Sequence, residues 1–415
     1  MPIFRSRYLR TEAAHRTTSF EIFFDLVFVF ALTRIIEFMA RQPTGVTLAR
    51  GLLLFLLLWF SWSAYAWLGN EVRADVGLIR AGTLAAMAAM FVAALVIPDA
   101  WGDEEGGSGV PAPLLLALSY IAVRALHLVL YLHVSGSQQL SRTLRLIAVP
   151  GILGWSTLLA GALLGGTAQT ALWALAFVVD VGGSRFATSY SPWQLRSVTH
   201  FTERHRLVII IAIGESLISI GAGAGTELTR WSVLVAALFG LAVAVCLWRL
   251  YFDRVAPAAE RVFAAAAEPR RGTIAGDAYS LAHFPLIAGI MYVALGIEQV
   301  LATLIDEAPE GEHGTLGMPA LVALYGGSAL YLAGRTLFLR LSTGEAPWLP
   351  LAGAGLVLVL LPLARLLPAL PALALLVLVL TAQCEVERHV RPAARPRRGA
   401  PTGRRPPGRG RRRWS

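Results

Sequence analysis

Lysine is absent from this 415-residue chain, and all 36 of its basic residues are arginine. That excludes chemistry run through a lysine Schiff base, and with it retinal- and pyridoxal-dependent proteins. Only two cysteines occur, Cys246 and Cys384, both within apolar stretches. Neither a disulfide framework nor a thiolate metal site is therefore expected. Charge is scarce as well: 15% of the residues are charged, against about 25% in a soluble domain. Acidic residues are missing from 391–415, where ten arginines stand among five prolines and four glycines. Those ten equal the whole net charge of +10, so the basic pI belongs to the tail and does not mark a nucleic-acid-binding surface. Such a composition is expected to be disordered. Beside a membrane each arginine would gain roughly 1 kcal/mol from anionic lipid, whereas nucleic acid is not an expected partner.

What is abundant is apolar length. Hydrophobic residues make up 56% of the chain and the mean hydropathy is +0.62. Residues 52–59 and 372–381 carry no charge, and most apolar runs extend to roughly 20 residues, enough to cross the hydrocarbon core. The fold class is accordingly all-α: a polytopic integral membrane protein with about twelve transmembrane helices. Spans are predicted near 20–39, 48–69, 76–98, 112–134, 144–165, 168–184, 207–224, 230–252, 278–301, 318–341, 348–365 and 366–384. The last two, divided by Arg365 and several prolines, also admit a re-entrant hairpin. Asp25, Arg34 and Glu37 in the first apolar segment argue against a cleavable signal peptide.

The arginines set the orientation. Loops 98–110, 165–170 and 305–314 contain none, whereas Arg5, Arg7, Arg10 and Arg16, then Arg142 and Arg145, then Arg185, Arg196, Arg204 and Arg206, then Arg254, Arg261, Arg270 and Arg271 fall in the alternate loops. By the positive-inside rule both termini are cytoplasmic, with Arg41, Arg50 and Arg230 as exceptions. The expected organisation is a cytoplasmic segment 1–19, a six-helix half 20–184, a cytoplasmic loop 185–206, a second six-helix half 207–384 and the tail 385–415. The halves echo each other. Trp62 and Tyr65 correspond to Trp248 and Tyr251 at an offset of 186, and Tyr120, Arg124 and Leu126 to Tyr331, Arg335 and Leu337 at an offset of 211. Six spans per half give a parallel repeat, as in some transporters.

Ionisable groups at bilayer depth cost about 2.5–3.5 kcal/mol each on the lenient insertion scale, so they face the protein interior and need partners. Glu21 and Asp25 share a face of the first span, Glu215 lies in the seventh, and Arg124 and His127 sit in the fourth, with Arg335 as the repeat equivalent of Arg124. These six are the candidate substrate- or ion-binding residues. Their alternative role is structural, as buried Arg–carboxylate pairs that fix helix packing. Gly214 and the run Gly221–Gly225 allow the seventh span to unwind or to pack closely. In residues 199–206, His200 and Glu203 share a helix face while His200 and His205 do not, which is the wrong spacing for a metal. No metal, cofactor or catalytic residue is expected. Asp180, Arg249, Asp277 and His283 are taken as interfacial, and the Trp and Tyr residues of spans 2 and 8 as interface anchors.

The strings Glu21-Ile-Phe23-Phe24-Asp25-Leu-Val-Phe-Val-Phe-Ala31 and His200-Phe-Thr-Glu203-Arg204-His205, the latter followed by Ile210-Ile-Ala-Ile-Gly214-Glu215-Ser216, resemble the signature of the low temperature requirement protein A family. Trp248 with Tyr251, and Tyr279, His283, Pro285 and Gly289, fit it as well, and the resemblance spans roughly residues 12 to 385. It departs at Arg206, where the family pattern has glycine. The resemblance implies a bacterial multi-pass plasma-membrane protein with no established substrate. A fainter likeness, Phe24-Asp25 followed after seven residues by Thr33, is similar to the first-helix motif of a lysosomal-type potassium channel family. Three function classes follow: a secondary transporter, proton-coupled through buried acids and carrying a small solute or ion; a cation channel; and a non-catalytic membrane stress or structural protein. An enzyme is not expected.

Overall fold

The computed structural model describes residues 8–102, 109–134, 138–189, 195–225, 229–306 and 314–389. Side chains at 138–145, 184, 186–189 and 306 are outside that description, as are the tail from 390 onward, residues 103–108 of loop 98–110 and most of loop 305–314. The protein is all-α. Its long helices are α1 (Ser19–Arg41), α2 (Gly45–Glu71), α3 (Gly77–Val96), α4 (Ala112–Val134), α5 (Gln138–Leu164), α6 (Gly166–Ser189), α7 (Val198–Ala224) and α8 (Trp231–Phe252). A short α9 (Val255–Ala265) precedes α10 (Arg270–Ile305), α11 (Met318–Thr343), α12 (Trp348–Ala364) and α13 (Ala369–His389). Among the described residues nine helices are long and apolar enough to cross a membrane. Large apolar side chains also point outward in number, among them Leu163, Trp231, Val359, Leu366 and Leu378. Water would not tolerate such a surface, whereas lipid does.

Polar N-caps start the helices that matter for the site. Thr18 and Glu21 form a reciprocal capping box on α1, Thr44 and Thr47 do the same on α2, and the Ser197 hydroxyl accepts the His200 N–H at 3.2 Å on α7. That last cap corrects the predicted start at 207. Nine residues read as cytoplasmic loop are the first turns of α7, whose polar side chains face α1 and α2 instead of water. Similarly α6 continues past 184 to Ser189, and α13 runs into the expected tail as far as His389. Residues 348–389 form two helices, α12 and α13, packed on each other.

The centre of the bundle is α1, α7 and α10, with α2 and α11 against them. Contact between α10 and α11 depends on glycine. A Cβ at Gly289 would stand 2.7 Å from the Gly327 carbonyl oxygen and the Tyr331 nitrogen, and one at Gly296 would stand 2.7 Å from the Leu324 backbone. In a medium as apolar as the side chains, such close backbone approach is what holds helices together. The aromatic residues of α2 are not interface anchors as predicted. Trp59, Trp62 and Tyr65 are buried, as is Tyr251 of α8, whereas Trp231 and Trp248 of α8 are exposed. Their N–H and O–H groups find partners inside the bundle: the Trp59 indole donates to the Ser280 carbonyl (2.7 Å) and the Tyr65 hydroxyl to that of Val123 (3.0 Å).

Candidate functional site

Four elements meet around one arginine. Helical spacing places Glu21 and Asp25 one turn apart on α1, and His200 and Arg204 one turn apart on α7. The two faces are pressed together with α2 on the third side. Arg204 Nη2 donates to Asp25 Oδ1, and its Nη1 lies 3.8 Å from Glu21 Oε1. Asp25 Oδ1 also accepts the indole N–H of Trp62 at 2.7 Å. The guanidinium packs over the rings of Trp62 and Phe24 at 5.4 and 5.8 Å, as suits a planar, weakly hydrated cation. Glu21 splits its oxygens: Oε2 accepts from the Thr18 N–H and hydroxyl (both 3.0 Å), and Oε1 faces His200 Nε2 at 2.8 Å. Gly69 of α2 leaves room for that carboxylate, since a Cβ there would come within 2.5 Å of Glu21 Oε1. All four charged or titratable side chains are essentially inaccessible, and the adjoining cavity of about 10 Å³ leaves no space for a solute. The cluster sets two carboxylates against one guanidinium.

A strap covers its open side. Residues 9–17 run across the ends of α2 and α7: the Arg73 N–H donates to the Leu9 carbonyl (2.9 Å), the Thr11 hydroxyl to the Gly69 carbonyl (2.9 Å), and the Thr17 N–H to Glu203 Oε2 (3.1 Å). Ser197 Oγ lies within hydrogen-bond distance of the Ala13 and His15 carbonyls, at 2.9 and 3.2 Å. This sets the His15 ring 5.4 Å from that of His200. One ligand atom each from His15, Glu21 and His200 lie within 4.8 Å of one another. His15 was not singled out in the sequence, because the strap and α7 are nearly 190 residues apart and no local spacing links them.

The remaining candidates are not gathered here. Arg124 makes a two-pronged pair with Asp180 of α6 (3.0 and 2.9 Å), and Tyr120 adds its hydroxyl to Asp180 Oδ2 at 3.0 Å. Asp180 is thus a buried partner and not an interfacial residue. His127 donates to the Ala64 carbonyl at 3.1 Å. Arg335 binds the Leu250 carbonyl (3.0 Å) and Glu387, which also accepts from Gln383 at 2.6 Å. Glu215 stands beside Thr33 of α1, with Glu298 of α10 nearby, and its Oε1 has no hydrogen-bond partner among the described protein atoms. His205 faces away from His200, edge-on to Trp62 and 5.2 Å from the His283 ring. His283 is buried rather than interfacial and accepts from the Tyr251 hydroxyl at 2.9 Å. The Asp277 and Arg249 side chains are half-buried, paired with Arg185 (2.8 Å) and Glu385 (3.2 Å). A Cβ at Gly214 would meet nothing within 4 Å, whereas one at Gly223 would stand 3.2 Å from the Glu298 Cα.

The Arg124–Asp180 pair lies on the wall of a cavity of about 580 Å³. It is bounded by α2, α4, α5, α6 and the start of α10, with Phe60, Trp67 and Trp155 as aromatic wall and Ser63, His127 and Ser280 as further polar groups. That volume falls within the range of small-molecule sites.

The family model of the bacterial low temperature requirement A protein (LtrA) matches residues 16–384. The chain belongs to the LtrA family. It is a multi-pass membrane protein with buried acids. A curated relative, the uncharacterized protein RA0937 of Rhizobium meliloti (strain 1021), is 27% identical over 370 residues, covering 85% of this chain and 84% of its own. No solved structure matches. LtrA-family membership adds no chemistry to the site, so function has to be argued from the geometry.

Proposed function

We propose that this LtrA-family protein is a secondary transporter, coupled to protons through its buried carboxylates and free of any catalytic step of its own. The carrying observation is the 580 Å³ cavity, which places a buried, paired guanidinium and carboxylate on an aromatic-walled chamber inside the helix bundle. A neutral or zwitterionic small solute suits a wall whose charges are already matched. Proton coupling is assigned to the α1–α7–α10 interface, where the Glu298 carboxylate feels those of Glu37 and Glu215 and Glu215 stands beside Thr33. Thr33, beside Glu215, is eight residues along α1 from Asp25, about 12 Å at helical rise.

The partners of the two mid-span arginines support the same reading. In each half the arginine of the fourth helix reaches an acid of the sixth: Arg124 to Asp180, and Arg335 to Glu387. That is the relation expected of twelve spans in a 6+6 parallel repeat, and α1 and α7, the first helices of the halves, pack side by side. The arginine bias puts both termini in the cytoplasm of a bacterial inner membrane, with the tail against anionic lipid.

The test is flux into proteoliposomes under an imposed pH gradient, with candidate solutes first chosen by thermal shift. Glu215→Gln should abolish gradient-driven uptake while the protein still purifies as a folded species. Wild-type flux in that variant overturns the coupling assignment. Unitary currents in planar bilayers would favour the cation channel instead.

A further inference from the structure

The strap residue His15 gives the Glu21–His200 pair a third neighbour of a different kind from the rest of the cluster. Glu21 Oε1 and His200 Nε2 are already 2.8 Å apart, and one ligand atom of each of the three residues falls within a 4.8 Å group. A tetrahedral zinc holds imidazole nitrogen and carboxylate oxygen at about 2.0–2.2 Å, so its ligand atoms sit roughly 3.3 Å from one another. To reach that spacing His15 has to close by about 1–1.5 Å and the Glu21–His200 pair has to open by about 0.5 Å on the same geometry. It stands on a segment whose backbone is already fastened through Ser197.

We propose that His15, Glu21 and His200 form a binding site for one divalent first-row transition metal, of which Zn²⁺ is the natural probe, with a fourth position open to water past the half-buried His15. Two imidazoles and a carboxylate are a ligand set of intermediate softness, suited to zinc, cobalt or nickel and poorly to magnesium or calcium. The supporting shell is present on the glutamate side. Thr18 holds the second Glu21 oxygen at 3.0 Å, fixing the carboxylate's orientation. Asn70 Nδ2 gives up a weak 3.4 Å contact with His200 Nδ1, which then carries the ring proton, and keeps its 2.6 Å bond to the Ser197 carbonyl. The electrostatics also permit a dication. Asp25 and Glu21 outweigh Arg204 by one charge, and Arg204 spends its closest contact on Asp25, standing 3.8 Å from the Glu21 oxygen that the metal would use. The site rests on these residues alone and is independent of any transported solute.

The experiment is calorimetric titration of ZnCl₂ into tag-free, chelator-treated protein in detergent at pH 7.5, repeated at pH 5.5. One saturable equivalent is expected in the wild type. Affinity should fall at least tenfold in His15→Ala and again at the lower pH, where imidazole protonation competes. His15→Gln and His15→Ala alter only a half-buried strap residue, so both should remain folded even if His200→Ala does not. A cobalt-loaded sample should show the absorption of a four-coordinate ion, lost in His15→Ala. Failure to find a saturable equivalent in the wild type, or unchanged affinity in both His15 variants, overturns the site.

Discussion

Removing the guanidinium of Arg204 would strand Asp25 in a place with no water and only an indole N–H for company. Arg204→Ala is therefore expected to cost about 3–5 kcal/mol, the penalty for breaking a buried pair from one side. Heat unfolding in detergent should register it, and adding Asp25→Asn to that variant should restore part of the loss. Trp62→Phe keeps the ring packing and deletes one donor to a charged acceptor. Its expected cost is about 1.5–3 kcal/mol in the same assay. The acids of this cluster were legible in the sequence, since carboxylates among greasy residues announce themselves by their cost. Their partner was not. Arg204 was placed in a loop, and Arg124 was the more obvious cation because it sits in the middle of a span. The Asp180 and Glu387 partners of the two mid-span arginines were equally hidden, being near helix ends where snorkelling is the ordinary explanation.

Helices were read more surely than their ends. Apolar runs predicted every long helix, and α4 begins and ends where expected, at Ala112 and Val134. Its flanks are Pro, Gly and Ser, which punctuate clearly. The start of α7 was missed because its first two turns read Thr-His-Phe-Thr-Glu-Arg-His-Arg, polar enough to pass for a loop, yet five of those eight side chains are buried against other helices. Pattern rules assume that polar faces meet water; here they meet α1, α2 and the strap. At this scale the glycines carry a prediction. Gly289→Val should prevent α10 and α11 from approaching and abolish a monodisperse folded peak on size-exclusion chromatography. Gly355→Ala, where a Cβ meets nothing within 4 Å, should leave that peak unchanged.

Across the whole molecule, the membrane class followed from composition, whereas the positions of the cavity and the strap depend on which helices become neighbours. No periodicity along the chain records that α5 and α6 stand off from α2, α4 and α10 to leave a chamber, or that residues 9–17 reach α7. Topology gives the corresponding test. Cys246 and Cys384 are both buried, so replacing them with serine yields a background for labelling. Single cysteines at 16 and 261 should react with an impermeant reagent from one side, and those at 166 and 229 from the other. Labelling of 16 and 261 from opposite faces would refute the even number of crossings between them.

The bond between Asp25 and Arg204 joins residues 179 positions apart, and synthesis runs from the first to the second. At roughly 5–20 residues per second, the carboxylate emerges some ten to forty seconds before its guanidinium exists. During that interval α1 must either enter the bilayer with Asp25 protonated or wait beside the insertion machinery. The native pairing is thus a late event of biogenesis.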